Sequence, residues 1–175
     1  MSINPEKTVH KSTAAIDQEI LAVFSRSGPL AYKDPRISYT LPVWERLIPK
    51  STKFVCVFRS PMATGASTLK ECSEMPYLAS LKMNETEALR VWINIYSHVI
   101  KHYRSFTDRF IILHVDQILL GDGLARLSSF LNCPLDRKFV DKRLSRTKAS
   151  PILSNEAKAL YQQLCELAHH DINLV

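Results

Sequence analysis

Phe54-Val-Cys-Val-Phe-Arg59-Ser60-Pro61 is the stretch whose reading decides the fold. From Lys53 to Arg59 the segment is almost continuously apolar, rich in β-branched and aromatic side chains. That pattern suits a central parallel strand covered on both faces. Ser60 then reads as a helix N-cap and Pro61 as the first helical residue. The strand therefore delivers the Arg59 guanidinium to the positive end of a helix. Free N–H groups, a favourable dipole and a bidentate fork together suit a phosphate. Ser67 follows two helical turns after the cap and returns to the same face, which brings its hydroxyl towards Arg59.

The rest of the chain places helices around this strand. Ile16, Ile20, Val23 and Phe24 share one face of a first helix, Thr13 to Arg26, which Gly28-Pro29 stops. Leu30 to Pro49, interrupted by Pro35 and Pro42, reads as mostly loop with a short helical turn near Trp44. The Pro61 helix runs to about Glu74, and its first turns are small (Ala63, Thr64, Gly65, Ala66), leaving room for a ligand or a closely packed backbone. Asn84 to Tyr103 is the clearest helix: Asn84 and Glu87 form a capping box, and Ala88, Val91, Trp92, Ile95, Tyr96, Val99, Ile100 and Tyr103 make one buried stripe. A second apolar strand, Phe110 to Val115, follows, and helices over Asp122–Asn132 and Ser154–His169 complete the chain. A strand, crossover helix and strand imply parallel pairing. The expected class is α/β, a short parallel sheet flanked by helices.

A chain of 175 residues is one domain by length, here a polar leader over 1–11 and a single domain over 12–175. Its net charge of +6 calls for an acidic partner, and charge alone does not choose among a nucleotide, an acidic sugar, nucleic acid and an anionic membrane surface. Cys56, Cys72, Cys133 and Cys165 have no Cys-x-x-Cys spacing and read as buried, reduced thiols. With no membrane-spanning run and no signal segment, a cytoplasmic protein is expected. His98 and His102 have a spacing that can hold zinc, with His114 or Asp116 as a distant third ligand, but the metalloprotease glutamate is missing between them, and no metal is expected.

The same residues carry a family resemblance. Arg59 and Ser67 across a strand, turn and helix resemble the 3′-phosphate-binding element of sulfotransferases that use 3′-phosphoadenosine-5′-phosphosulfate (PAPS). Tyr32-Lys33-Asp34-Pro35-Arg36 with Leu41-Pro42-Val43-Trp44 resembles the Lys-Asp-Pro segment of carbohydrate and tyrosylprotein sulfotransferases. Phe110 to Asp116 and Leu127 to Leu131 are similar to the strand and helix that follow, so the likeness covers roughly residues 28 to 168. The resemblance implies a partial P-loop-type sulfotransferase domain that moves a sulfonate from PAPS to a hydroxyl, on a carbohydrate acceptor. Arg59 and Ser67 would hold the 3′-phosphate, and Arg36, Arg143 and Arg146 would add to the nucleotide site. Lys33 would neutralise charge on the transferring group.

One departure shapes that expectation. The family binds the 5′-phosphosulfate with a glycine-containing strand–loop–helix near its N-terminus. Gly28, Gly65, Gly121 and Gly123 stand in no such context. The chain thus reads as incomplete on its N-terminal side, the C-terminal portion of a longer or split enzyme. The alternative is a non-catalytic anion-binding remnant. A third reading, nucleic-acid binding through Arg143–Lys148, lacks the aromatic residues of a stacking platform and is not expected.

Overall fold

In the computed structural model the described residues are 9–25, 28–78, 80–141, 143 and 154–171. In chain order the elements are α1 (Ala14–Phe24), α2 (Ile37–Leu47), β1 (Phe54–Phe58), α3 (Pro61–Glu74), α4 (Glu85–Ser105), β2 (Phe110–His114), α5 (Val115–Leu120), α6 (Gly123–Leu131) and α7 (Asn155–Ala168). Residues of 1–53 and 94–109 form one compact unit, and those of 54–93 and 110–175 form another. No helix among the described residues is long and apolar enough to cross a membrane.

In the first unit, Thr13 Oγ1 accepts the Ile16 N–H and starts α1 where the sequence places it. Within 30–49, where mostly loop and a short helical turn near Trp44 are expected, Ile37–Leu47 form a full helix, α2, that passes through Pro42. Proline has no N–H, so the Ser38 carbonyl loses its partner four residues on. His102 replaces it: its Nε2 lies 2.9 Å from the Ser38 oxygen, and both residues are buried. An interior proline reads as a helix breaker, and the donor that relieves it lies 64 residues away.

In the second unit β1 and β2 pair in parallel, Phe54 opposite Phe110 and Phe58 opposite His114. The α/β class and parallel pairing follow the sequence, but full burial of β1 does not. Paired residues of parallel strands share a face, which sets Val55 and Val57 beside Ile111 and Leu113. Leu113 is fully buried while Val55 and Val57 remain 43% and 44% exposed. The face is closed over β2, against which α7 packs, and open over β1.

Helices α3 and α4 carry the chain between the strands. Asn84 and Glu87 close the expected capping box: Asn84 Oδ1 accepts the Glu87 N–H at 2.9 Å, and Glu87 Oε2 accepts the Asn84 N–H at 2.8 Å. Val91, assigned to the buried stripe, is exposed. A Cβ at Gly65 would meet the Ala88 Cβ at 3.8 Å, so the small residues of α3 serve helix packing there. The second strand stops one residue early, because His114 caps α5 at once. At Gly123 a Cβ would sit 2.6 Å from the Gln117 carbonyl carbon, and only glycine lets α6 start this close to α5. On α7, Tyr161, Leu164, Cys165 and Ala168 are buried.

His102→Leu is expected to cost about 1–3 kcal/mol in urea unfolding, because it leaves the buried Ser38 carbonyl unpaired. Adding Pro42→Ala restores an N–H four residues along and recovers part of the loss. If the double variant is no more stable than His102→Leu alone, the carbonyl is not the cause.

Candidate functional site

The carboxyl ends of both strands lie at one edge of the sheet, since Phe58 and His114 are in register. Ligands of open parallel sheets bind outside such ends. Here Arg59 and Ser60 leave β1 beside the point where His114 and Asp116 leave β2.

Ser60 Oγ accepts the Ala63 N–H at 3.2 Å, Pro61 opens α3, and Thr64 Oγ1 donates to the Ser60 carbonyl at 3.0 Å. This is the cap expected from the sequence. Arg59 is half-buried, and among the described residues its guanidinium has no hydrogen bond or ion pair. A half-buried cation without a counter-charge is the feature that an anion would complete. Ser67 is half-buried about 10 Å along the helix from the cap, and no bond joins it to Arg59 among the described residues.

Two other assigned arginines are already engaged, in the same way. In the first unit, Asp34 Oδ1 accepts the Arg36 N–H at 2.9 Å and its Nε at 3.0 Å, while Oδ2 takes Nη2 at 2.6 Å. The fork holds the Asp34 carboxyl below the usual carboxylate range. In the second unit, Asp141 holds the Arg143 N–H at 3.0 Å, Nε at 2.9 Å and Nη2 at 2.8 Å. Each Asp-x-Arg closes a turn on itself and leaves one edge of its guanidinium outward. Lys33 is exposed. Arg146 lies outside the described residues.

The first unit also holds a cleft of about 510 Å³ between α1, α2 and the Lys33–Arg36 loop. Tyr32 and Trp44 line it, their rings 5.1 Å apart and tilted by 30°, with Asp34 and Arg36 beside them. Its lining is chiefly apolar, as is usual for a small-molecule site.

Beyond these residues, a cluster gathers around His114. Its Nδ1 accepts the Asp116 N–H at 3.3 Å and lies 3.3 Å from Asp116 Oδ2. Its Nε2 is 3.2 Å from the Tyr161 hydroxyl, and Phe58 packs edge-on at 5.0 Å. The His170 ring stacks on it at 4.1 Å and 12°. Gln117 fixes this arrangement: its Oε1 accepts the His114 N–H at 2.8 Å, and its Nε2 donates to the Ala168 carbonyl at 2.9 Å. Burial, and then neighbouring His170, pushes His114 down to about 4, against the pull of Asp116. Desolvation also raises Tyr161, and it raises the Cys165 thiol to about 11. The donor atoms of His114, Asp116 and His170 lie within 4.8 Å of one another and form the one potential metal-ligand group among the described residues. His98 and His102, whose spacing can hold zinc, are engaged otherwise: His102 is committed to Ser38, and His98 packs edge-on against Tyr39 at 5.0 Å. Tyr161, Gln117 and His170 have no signal in the sequence beyond an apolar helix face and a histidine just past its end.

No family model, no curated protein and no solved structure matches the chain.

The depressed His114 sets a pH dependence. Between its ordinary value near 6.5 and its folded value of about 4, the unfolded chain binds a proton that the folded chain refuses. Stability therefore rises with pH over this window: the contribution is complete above about 6.5 and lost as pH falls towards 4, by about 3 kcal/mol at most. Urea midpoints measured from pH 7 to 4 should fall accordingly. His114→Asn, which keeps a capping oxygen, should flatten the slope, and an unchanged slope would assign it to other groups.

Proposed function

We propose that this protein binds a 3′-phosphorylated adenine nucleotide and belongs with the PAPS-dependent sulfotransferases, transferring a sulfonate to a hydroxyl acceptor. The observation that carries the reading is Arg59: a half-buried guanidinium without a counter-ion among the described residues, at the end of a parallel strand and the start of a capped helix. A dianionic phosphate there gains charge-assisted bonds from Arg59 and the remaining first-turn N–H of α3. Ser67 adds a hydroxyl from the same helix. Arg143, in the same unit, uses the outward edge of its fork, so it does not have to break its aspartate pair. Lys33 stabilises charge on the transferring sulfonate. The aromatic cleft of the first unit suits the ring of a carbohydrate acceptor, with Asp34 and Arg36 available to its hydroxyls.

A second reading has its own support. Two of the cations assigned to the nucleotide are already neutralised, and the sheet has only two strands among the described residues. Both suit an anion-binding relative without transferase activity.

Calorimetric titration with adenosine 3′,5′-bisphosphate, with 5′-AMP as control, tests the nucleotide site. The bisphosphate should bind more tightly, and Arg59→Ala should weaken it by about tenfold to a hundredfold. Equal affinity for both nucleotides, or indifference to Arg59→Ala, would remove the nucleotide reading. Binding dominated by nucleic acid, with affinity falling steeply as salt rises, would favour the basic segment instead. If the bisphosphate binds, sulfonate transfer from PAPS to sugar hydroxyls separates the enzyme from the binding relative.

A further inference from the structure

The geometry points to a divalent transition-metal site on His114, Asp116 and His170, at the carboxyl end of β2. Two imidazoles and a carboxylate are a donor set for zinc or a neighbouring first-row ion, with a fourth position left for water or an anion. Three observations converge on it. The donor atoms already lie within 4.8 Å of one another. The His170 Nε2 is buried, and among the described residues it has no hydrogen-bond partner, so this imidazole has a nitrogen left for a ligand. Finally, His114 has the outer support that metal-bound histidines carry: Tyr161 meets its Nε2 and fixes the ring so that Nδ1 faces Asp116.

The present arrangement also says which ligand moves. The two rings are stacked almost parallel, so their lone pairs do not converge on one point. His114 is locked by Phe58, Tyr161 and the Gln117 clasp. His170 follows His169, whose left-handed φ of 52° ends α7. Its ring has a stacking contact to lose and no hydrogen bond at Nε2. Metal binding turns the His170 ring out of the stack and takes the His114 Nδ1 lone pair that now accepts the Asp116 N–H at 3.3 Å, while Asp116, half-exposed in the first turn of α5, turns its carboxylate inward. The ion would then join the end of α7 to the end of β2, beside Arg59. An anion bound there would face both a guanidinium and a metal.

The test is a titration of the chelator-stripped full chain with Zn²⁺ by calorimetry, and with Co²⁺ by its visible ligand-field bands. One equivalent should bind, with loss of the His114–His170 stack read from the imidazole proton signals. His170→Gln and Asp116→Asn should each weaken Zn²⁺ by about tenfold or more, and Tyr161→Phe should weaken it by a smaller factor. His98→Gln, on the other histidine pair, should leave it unchanged. Circular dichroism of each variant separates lost ligation from lost fold, and His170→Gln breaks no hydrogen bond at Nε2. Absence of saturable binding would overturn the site. So would affinity that survives both His170→Gln and Asp116→Asn, or that falls with His98→Gln.

Discussion

The second unit depends on one buried amide. Gln117 accepts from the last N–H of β2 and donates to the last carbonyl of α7, so a single side chain joins two elements far apart in sequence. Arg126 adds a second donor to the same Ala168 carbonyl at 2.8 Å. A helix end leaves four carbonyls without partners, and burying one unpaired costs about 1–3 kcal/mol. The clasp offsets that cost and fixes where the chain goes next. His114 and His170 stack because the two elements that carry them are tied at this point. Gly123 belongs to the same junction, since its missing Cβ is the space that the Gln117 backbone occupies.

The candidate site shows two ways of handling a cation. Arg36 and Arg143 sit on exposed turns, each closed onto an aspartate two residues earlier. Surface pairs of this kind contribute little to stability, but they fix the orientation of a long side chain. Arg59 is half-buried without such a partner. The difference follows from position. A turn can supply its own carboxylate, whereas a residue between a strand and a helix cap has its backbone committed on both sides. That contrast is why the proposed nucleotide site is centred on Arg59.

Local signals were legible in the sequence. Thr13, Ser60, Asn84 and Ser154 each cap a helix through the side chain, because a cap is decided within three residues. The parallel pairing of the two apolar runs was legible for the same reason: each run declares itself. What the sequence hid depends on distant partners. Pro42 sits inside a helix because His102 replaces the lost donor. Val55 and Val57 are open because nothing in the strand's own composition says whether a neighbour covers its outer face. Lys33, Asp34 and Arg36 could be singled out as chemistry-bearing residues, and the closed Asp34–Arg36 turn is a local outcome of an Asp-Pro-Arg step. Of the His114–Tyr161–Gln117–His170 cluster only His114 could be, since its members meet only after β2 and α7 pack.

The paired turns also change what the net charge of +6 means. A guanidinium held against a carboxylate projects little field beyond a Debye length, so Arg36 and Arg143 add little to the long-range attraction that speeds encounter with an anion. Their contribution begins only at contact, through an oriented N–H edge whose direction is already set. If an anion binds as proposed, such groups would govern how long it stays rather than how quickly it arrives. Attraction of an anion from a distance would then fall, among the described residues, to cations without such an aspartate, Arg59 among them.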